Sequence, residues 1–260
     1  MSDETLPKRF RHLELEEKPP VPSEGKPVPI YDAHHFFEAG QRDFYRRDYE
    51  SALRNYSRAL RHDRQRVEAW VGQVRALLEI GELEEALVWC NRGLDRFNDH
   101  PSLLAMKGWI MAVAGDTEKG LAFVDAAFQE KKTDDPLLWL ARAAVLFLEN
   151  SPNARYCLEK AVEEGRGSWQ TVVDAGRLAL RYGAPELALK FAQPAQVAVA
   201  DRPEILVLLG ETYQALNSPA QAQVYFRRAL ALDPGCPIPQ SYAAEPSKGW
   251  LARIRSLLGL

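Results

Sequence analysis

The side chains able to do covalent or metal chemistry are few, and their spacing assigns them none. The chain has five histidines and three cysteines. His34 and His35 are adjacent, so on a helix they point to different sides and cannot share a metal as histidines four apart can. His62 and His100 stand without acidic or cysteine partners at a ligand spacing. Cys90, Cys157 and Cys236 form no CxxC pair; they read as reduced, structural residues rather than a disulfide framework or a zinc site. The phosphate-cradling GxxxxGK(S/T), the zinc-binding HExxH and the nucleophile elbow GxSxG are all missing. No catalytic residue, metal or cofactor is expected. The chemistry left is that of recognition, carried by tryptophan and arginine, the residue types that dominate interface hot spots.

Composition narrows the partners. Charged residues make up 27% of the 260 residues and the net charge is −3, a balance with no electrostatic reason to seek nucleic acid or an anionic membrane. The local basic stretches, Lys8 to Arg11 and Arg54 to Arg66, read as solvated surface. No apolar run is long enough to span a bilayer and no signal-peptide core follows Met1, so a cytoplasmic location is expected. Asn55-Tyr56-Ser57 fits a glycosylation sequon but falls inside a helical pattern, and is discounted on that ground.

The elements that must position the recognition residues are repeats. Six positions carry a small residue at an unbroken spacing of 34: Ala52, Ala86, Gly120, Ala154, Ala188 and Ala222. A second small-residue series runs seven positions later, at Ala59, Gly93, Ala127, Ala161, Ala195 and Ala229. Such a period marks a stacked array rather than an enzyme domain. Units beginning at 33, 67, 101, 135, 169 and 203 place Phe36, Trp70, Leu104, Leu138, Val172 and Leu206 at the fourth position. In each unit the helical spacing of apolar residues restarts once near the middle, where turn signals such as Gly81-Glu82, Gly115-Asp116 and Asn217-Ser218-Pro219 stand. Pro101, Pro136 and Pro203 suit the starts of first helices, and Pro152, Pro185 and Pro219 those of second helices. Each unit is thus predicted to be two antiparallel helices joined by a tight turn. Small residues let the helices approach, large ones fill the gaps, and one hairpin cannot bury its apolar faces without its neighbours.

This pattern resembles the tetratricopeptide repeat. The sixth unit matches best, with Leu206, Leu209, Gly210, Tyr213, Ala222, Phe226, Ala229 and Pro234; the first follows, with Phe36, Ala39, Gly40, Tyr49, Ala52, Tyr56 and Ala59. The resemblance implies an all-α fold: a right-handed superhelical solenoid of antiparallel helix pairs, its concave face lined by first helices and used to bind peptides or protein surfaces. Residues 1–32 read as a disordered tail rich in proline and charge. Six units follow, 33–66, 67–100, 101–134, 135–168, 169–202 and 203–236, and then a linker and capping helix over 237–260. In the tail, Phe10-Arg11-His12-Leu13-Glu14-Leu15 reads as a solubilising leader or as a short docking motif, for a partner or for the chain's own groove. Near the other end Trp250, Leu251, Ile254, Leu257 and Leu258 form one side of an amphipathic helix that would cap the last unit or dock a partner.

Carried over residue by residue, the family's groove positions give Phe37, Gln41 and Tyr45 in unit one, and Val71 and Arg75 in unit two. Trp109 follows in unit three, Trp139, Ala143 and Phe147 in unit four, and Arg177 in unit five. The expectation is a hydrophobic pocket around Trp109 and Trp139, flanked by Arg75 and Arg177, that holds an extended or helical segment of a partner. The carboxylate clamp by which some members hold acidic chaperone tails is not met: its positions carry Phe37, Gln41, Gly72, Ser102 and Met106. Arg142 at a glycine position, Lys107 at an apolar one and Pro194 inside a second helix depart from the repeat. The expected function is a non-enzymatic adaptor or scaffold for another protein. The alternative is a structural subunit or assembly chaperone of a larger machine of secretion or pilus type, which leaves a homo-oligomer or a multiprotein complex open.

Overall fold

A computed structural model describes residues 32–129, 134–199, 202–239 and 242. The predicted tail up to residue 31, with Phe10 to Leu15, and the capping helix over 246–258 lie outside the described residues. Among those described there are twelve α-helices and no strand. In chain order they are α1 (Ala33–Tyr45), α2 (Tyr49–His62), α3 (Val67–Glu79), α4 (Leu83–Phe97), α5 (Pro101–Val113) and α6 (Thr117–Gln129), followed by α7 (Pro136–Leu148), α8 (Asn153–Glu164), α9 (Trp169–Arg181), α10 (Pro185–Ala198), α11 (Pro203–Ala215) and α12 (Pro219–Leu232). They form a superhelical solenoid.

Local chemistry sets the helix ends. The Asp32 side chain accepts the His35 amide hydrogen at 2.8 Å, and Asp48 accepts that of Ser51 at 3.0 Å, each satisfying an orphan amide of a first turn. Proline opens α5, α7, α10, α11 and α12, where the missing N–H would be unpaired anyway. The turn inside each of the six units passes through a left-handed residue: Arg47, Gly81, Gly115, Asn150, Gly183 and Asn217. Glycine and asparagine take that conformation readily and arginine does not. Arg47, at φ 63°, is the strained member of the series.

Odd-numbered helices touch the next odd-numbered helix as well as their own partner, from α1 through α11, whereas no such run links the even-numbered ones. The array therefore curves with its first helices inside. Both small-residue series are buried: Ala52, Ala86, Ala154, Ala188 and Ala222 are fully covered, as are Ala59, Ala127, Ala161 and Ala229. The tightest approach to backbone is at Gly108, where a Cβ would lie 2.5 Å from the Gly120 carbonyl oxygen. One core runs from Phe37 to Leu209, and a smaller cluster around Phe226 is covered by Cys236, Ile238 and Tyr242. None of the described helices is long and apolar enough to cross a membrane.

The three departures from the repeat are accommodated locally. Lys107 Nζ lies 4.6 Å from the Phe123 ring centroid. Arg142 pairs with Asp125 at 2.9 Å and lies over Phe128. Helix α10 continues through Pro194 from Pro185 to Ala198. Cys90, Cys157 and Cys236 are buried free thiols; burial pushes the Cys90 thiol up to about 12.

Candidate functional site

The concave face, formed by α1, α3, α5, α7, α9 and α11, is partly closed across itself by side-chain contacts. Side chains from units one and two reach units five and six. Tyr45 Oη donates to Asp174 at 3.1 Å, and Arg75 pairs with the same carboxylate at 2.7 Å. Arg177 donates to the Tyr45 backbone oxygen at 3.0 Å. Arg181 meets Glu79 at 2.6 Å, Arg47 meets Glu211 at 2.6 Å and Arg46 meets Asp233 at 2.8 Å. The Tyr45 ring packs on Trp169 with centroids 4.8 Å apart. Helix curvature thus brings the first unit back against the fifth and sixth, and charged side chains span the gap.

Electrostatics inside this closure are those of paired, desolvated groups. Burial, and then the Asp174 charge, drive the Tyr45 hydroxyl well above the usual phenol range. Burial works against the Arg75 charge, but Asp174 and Tyr45 outweigh it and hold the guanidinium above its ordinary range. For Arg177 burial dominates and the neighbouring Arg47 adds repulsion, so its charge is disfavoured. Its Nε and the Trp109 Nε1 are both buried without a hydrogen-bond partner among the described residues. Both residues line a space of only about 30 Å³.

Beside this closure lies an open mouth, walled by α1 and α3 and by residues at the amino-terminal ends of α5, α7, α9 and α11. Two cavities of about 440 and 580 Å³ lie there and share Gln41 and Tyr45 as a common wall. The first is floored by Phe37, Phe44, Tyr56 and Val71 and carries Glu68, Asp135 and His100. Asp135 is held in place as the cap of α7, accepting from the Leu137 amide at 2.9 Å and from Ser102 Oγ at 2.6 Å. Burial holds the His100 imidazole below its usual range, against the pull of Asp135 and Glu68. The second cavity lies against Trp169 and Pro203 and mixes Glu38 and Glu204 with Arg42 and Arg202.

The sequence-predicted residues divide between these places. Phe37, Gln41, Tyr45, Val71 and Arg75 line the mouth. Trp109 and Arg177 lie within the closed part, with Arg75. Trp139 is not beside Trp109 in that space; it packs on Phe128 of α6 at 4.7 Å and near Tyr156 of α8 at 6.3 Å. Ala143 is fully buried, and Phe147 stacks on Tyr182 at 4.9 Å. Helix α7, capped by Asp135 and opened by Pro136, places Leu137 and Leu140 at the cavities, while Trp139 and Arg142 lie against Phe128 of α6. Glu79 and Glu211 stand at family groove positions, but Asp174, the carboxylate at the centre of the closure, escapes a groove carry-over made unit by unit. The signal available was opposite charges at inward positions of units two and five.

A family model described as Tetratricopeptide repeat matches residues 37–101, and a second with the same description matches residues 203–236. No curated protein matches the sequence significantly. Similar solved structures include a tetratricopeptide repeat protein from Parabacteroides merdae, 16% identical, covering 90% of this chain and 87% of that one with a TM-score of 0.48. PilW, a type IV pilus biogenesis factor, is 16% identical over 78% of this chain and 94% of that one, with a TM-score of 0.47. A chain of an APC/C hetero-tetramer is 16% identical over 79% of this chain at a TM-score of 0.48, and the present chain spans 41% of its length.

Proposed function

From the premise that this chain is a tetratricopeptide-repeat protein, we propose that it is a non-enzymatic adaptor that holds a segment of another protein at the open mouth of its concave channel. The observation that carries this reading is the division of the channel: its own side chains fill one part and leave two cavities that share a wall at the other. Apolar floor residues offer burial for one or two anchor side chains, and the mixed charges around Trp169 suit a polar peptide backbone. A protein segment fits that mix better than a nucleic acid, which would call for a one-sign basic surface. The cytoplasm is the compartment we assign it.

The test blocks the shared wall. Gln41→Trp adds bulk at a half-buried position on the wall that both cavities share, and none of the described ion pairs across the channel involves Gln41. Affinity purification from the native cell should lose a partner in Gln41→Trp while circular dichroism stays that of the wild type. A partner set unchanged in that variant refutes the mouth as the binding site. One observation favours a second reading, a structural subunit or assembly chaperone. Tyr156, Val197 and Val224, on α8, α10 and α12, are exposed at 54%, 84% and 56%, an apolar set on second helices. Under that reading the chain co-purifies in a large stoichiometric complex that Gln41→Trp does not disturb.

A further inference from the structure

Within the closure four arginines are matched to carboxylates and a fifth is not. Arg46, Arg47, Arg75 and Arg181 pair with Asp233, Glu211, Asp174 and Glu79. Arg177 makes no ion pair among the described residues, and its one hydrogen bond runs from a terminal nitrogen to the Tyr45 backbone oxygen at 3.0 Å. Its Nε is buried without a partner, and so is the Nε1 of Trp109, a residue only 6% exposed. Both residues line one space of about 30 Å³, whose other walls include Phe44, Leu140 and Leu178. Glu204 borders a separate space that Arg177 also reaches, and no ion pair joins the two.

The charges around Arg177 do not supply the missing partner. Arg47 repels it, while Glu211, Tyr49 and Asp174 draw on it from farther off. Both carboxylates are already engaged, Glu211 with Arg47 at 2.6 Å and Asp174 with Arg75 at 2.7 Å and Tyr45 at 3.1 Å. A buried guanidinium without a counter-charge is costly, and so is each buried N–H without an acceptor. One species relieves all three: a small acceptor of hydrogen bonds that carries a single negative charge. A water accepts from both nitrogens but leaves the cation unmatched. The space admits roughly one or two water-sized particles, so a phosphate or sulfate group is too large and a halide ion fits.

We propose that Trp109 Nε1 and Arg177 Nε bind one halide-sized monovalent anion, chloride in solution, inside the closure. The anion accepts from both N–H groups and neutralises Arg177, whose other end holds the Tyr45 backbone oxygen across the channel. It is thereby part of what keeps unit one against unit five, a role independent of the mouth and of whatever segment binds there.

The test takes the full chain and replaces chloride by gluconate, an anion too large for the space, at constant ionic strength so that screening is unchanged. The urea midpoint should rise with chloride and saturate as for a single site, while the radius of gyration falls. The rise should shrink several-fold in Trp109→Phe, which deletes one donor and keeps a ring, and vanish in Arg177→Met. Crystals grown in bromide should show its anomalous scattering within hydrogen-bonding reach of both nitrogens. A midpoint equal in chloride and gluconate overturns the proposal. So does a chloride effect that Trp109→Phe retains in full, or a water at this position where bromide is expected. Should Arg177→Met fail to fold, Trp109→Phe and the bromide position decide.

Discussion

Asp174→Asn removes the charge on which the closure is centred. The native carboxylate accepts from Tyr45 Oη at 3.1 Å and pairs with Arg75 at 2.7 Å. Asparagine keeps an acceptor for Tyr45 but leaves the Arg75 guanidinium without a counter-charge. Removing one partner of a buried pair costs roughly 3–5 kcal/mol. The side chains here keep 20% and 13% of their exposure, which places the expectation at the low end, about 3 kcal/mol. The array can relieve part of that by letting unit one swing away from unit five and hydrating Arg75. The expected outcome is therefore twofold: a lower urea midpoint, and a larger radius of gyration by solution X-ray scattering at unchanged helicity. The double variant Arg75→Met/Asp174→Leu, which replaces the pair with apolar groups, should recover most of the stability and the compact radius. If Asp174→Asn matches the wild type in both midpoint and radius, the closure is not held by this pair and the electrostatic account of it is wrong.

Arg47→Gly relieves a left-handed arginine at φ 63° but removes its 2.6 Å contact to Glu211. The relief is about 1 kcal/mol, so the midpoint should hold or rise while the scattering radius grows; a fall of more than about 1 kcal/mol would contradict this reading of the turn. Gly108→Ala drives a Cβ to 2.5 Å from the Gly120 carbonyl oxygen, a backbone atom that cannot step aside, and should destabilise by about 1–3 kcal/mol in urea unfolding. His100 is held below its ordinary 6.5 by burial. The unfolded chain therefore binds its proton first, and this residue's contribution is intact above pH 6.5 and lost as pH falls through the folded-state value; His100→Phe should flatten that part of a stability-against-pH curve. Tyr45 is displaced upward from 10.0, so its contribution is present below pH 10 and declines as the pH rises further, a decline that Tyr45→Phe should abolish.

Much of the fold was legible because the repeat is local. A small residue every 34 positions and a turn signal near mid-unit set where first helices begin, and α1, α3, α5, α9 and α11 start at 33, 67, 101, 169 and 203. In units one and two, Phe37, Gln41, Tyr45, Val71 and Arg75 line one cavity of the concave face. In unit four Trp139 packs on Phe128 of α6 at 4.7 Å, a contact with a second helix that a list of groove positions does not report. The closure was beyond a reading based on periodicity. Tyr45 and Asp174 are 129 residues apart, and a repeat pattern reports only the contacts a unit makes with its neighbours.

That long-range closure changes how the array comes apart. In an open stack the end units fray first, since each has a single neighbour. Here α1 is tied through Arg46 and Arg47 to Asp233 and Glu211, so the first unit has a second neighbour and the terminus ceases to be a free end. Amide hydrogen exchange should then be as slow in α1 and α3 as in the central helices, and the gradient from end to middle seen in linear arrays should vanish. The tie also raises the contact order of an otherwise local topology, so ring closure becomes the late step of folding, separable from the helix pairing before it.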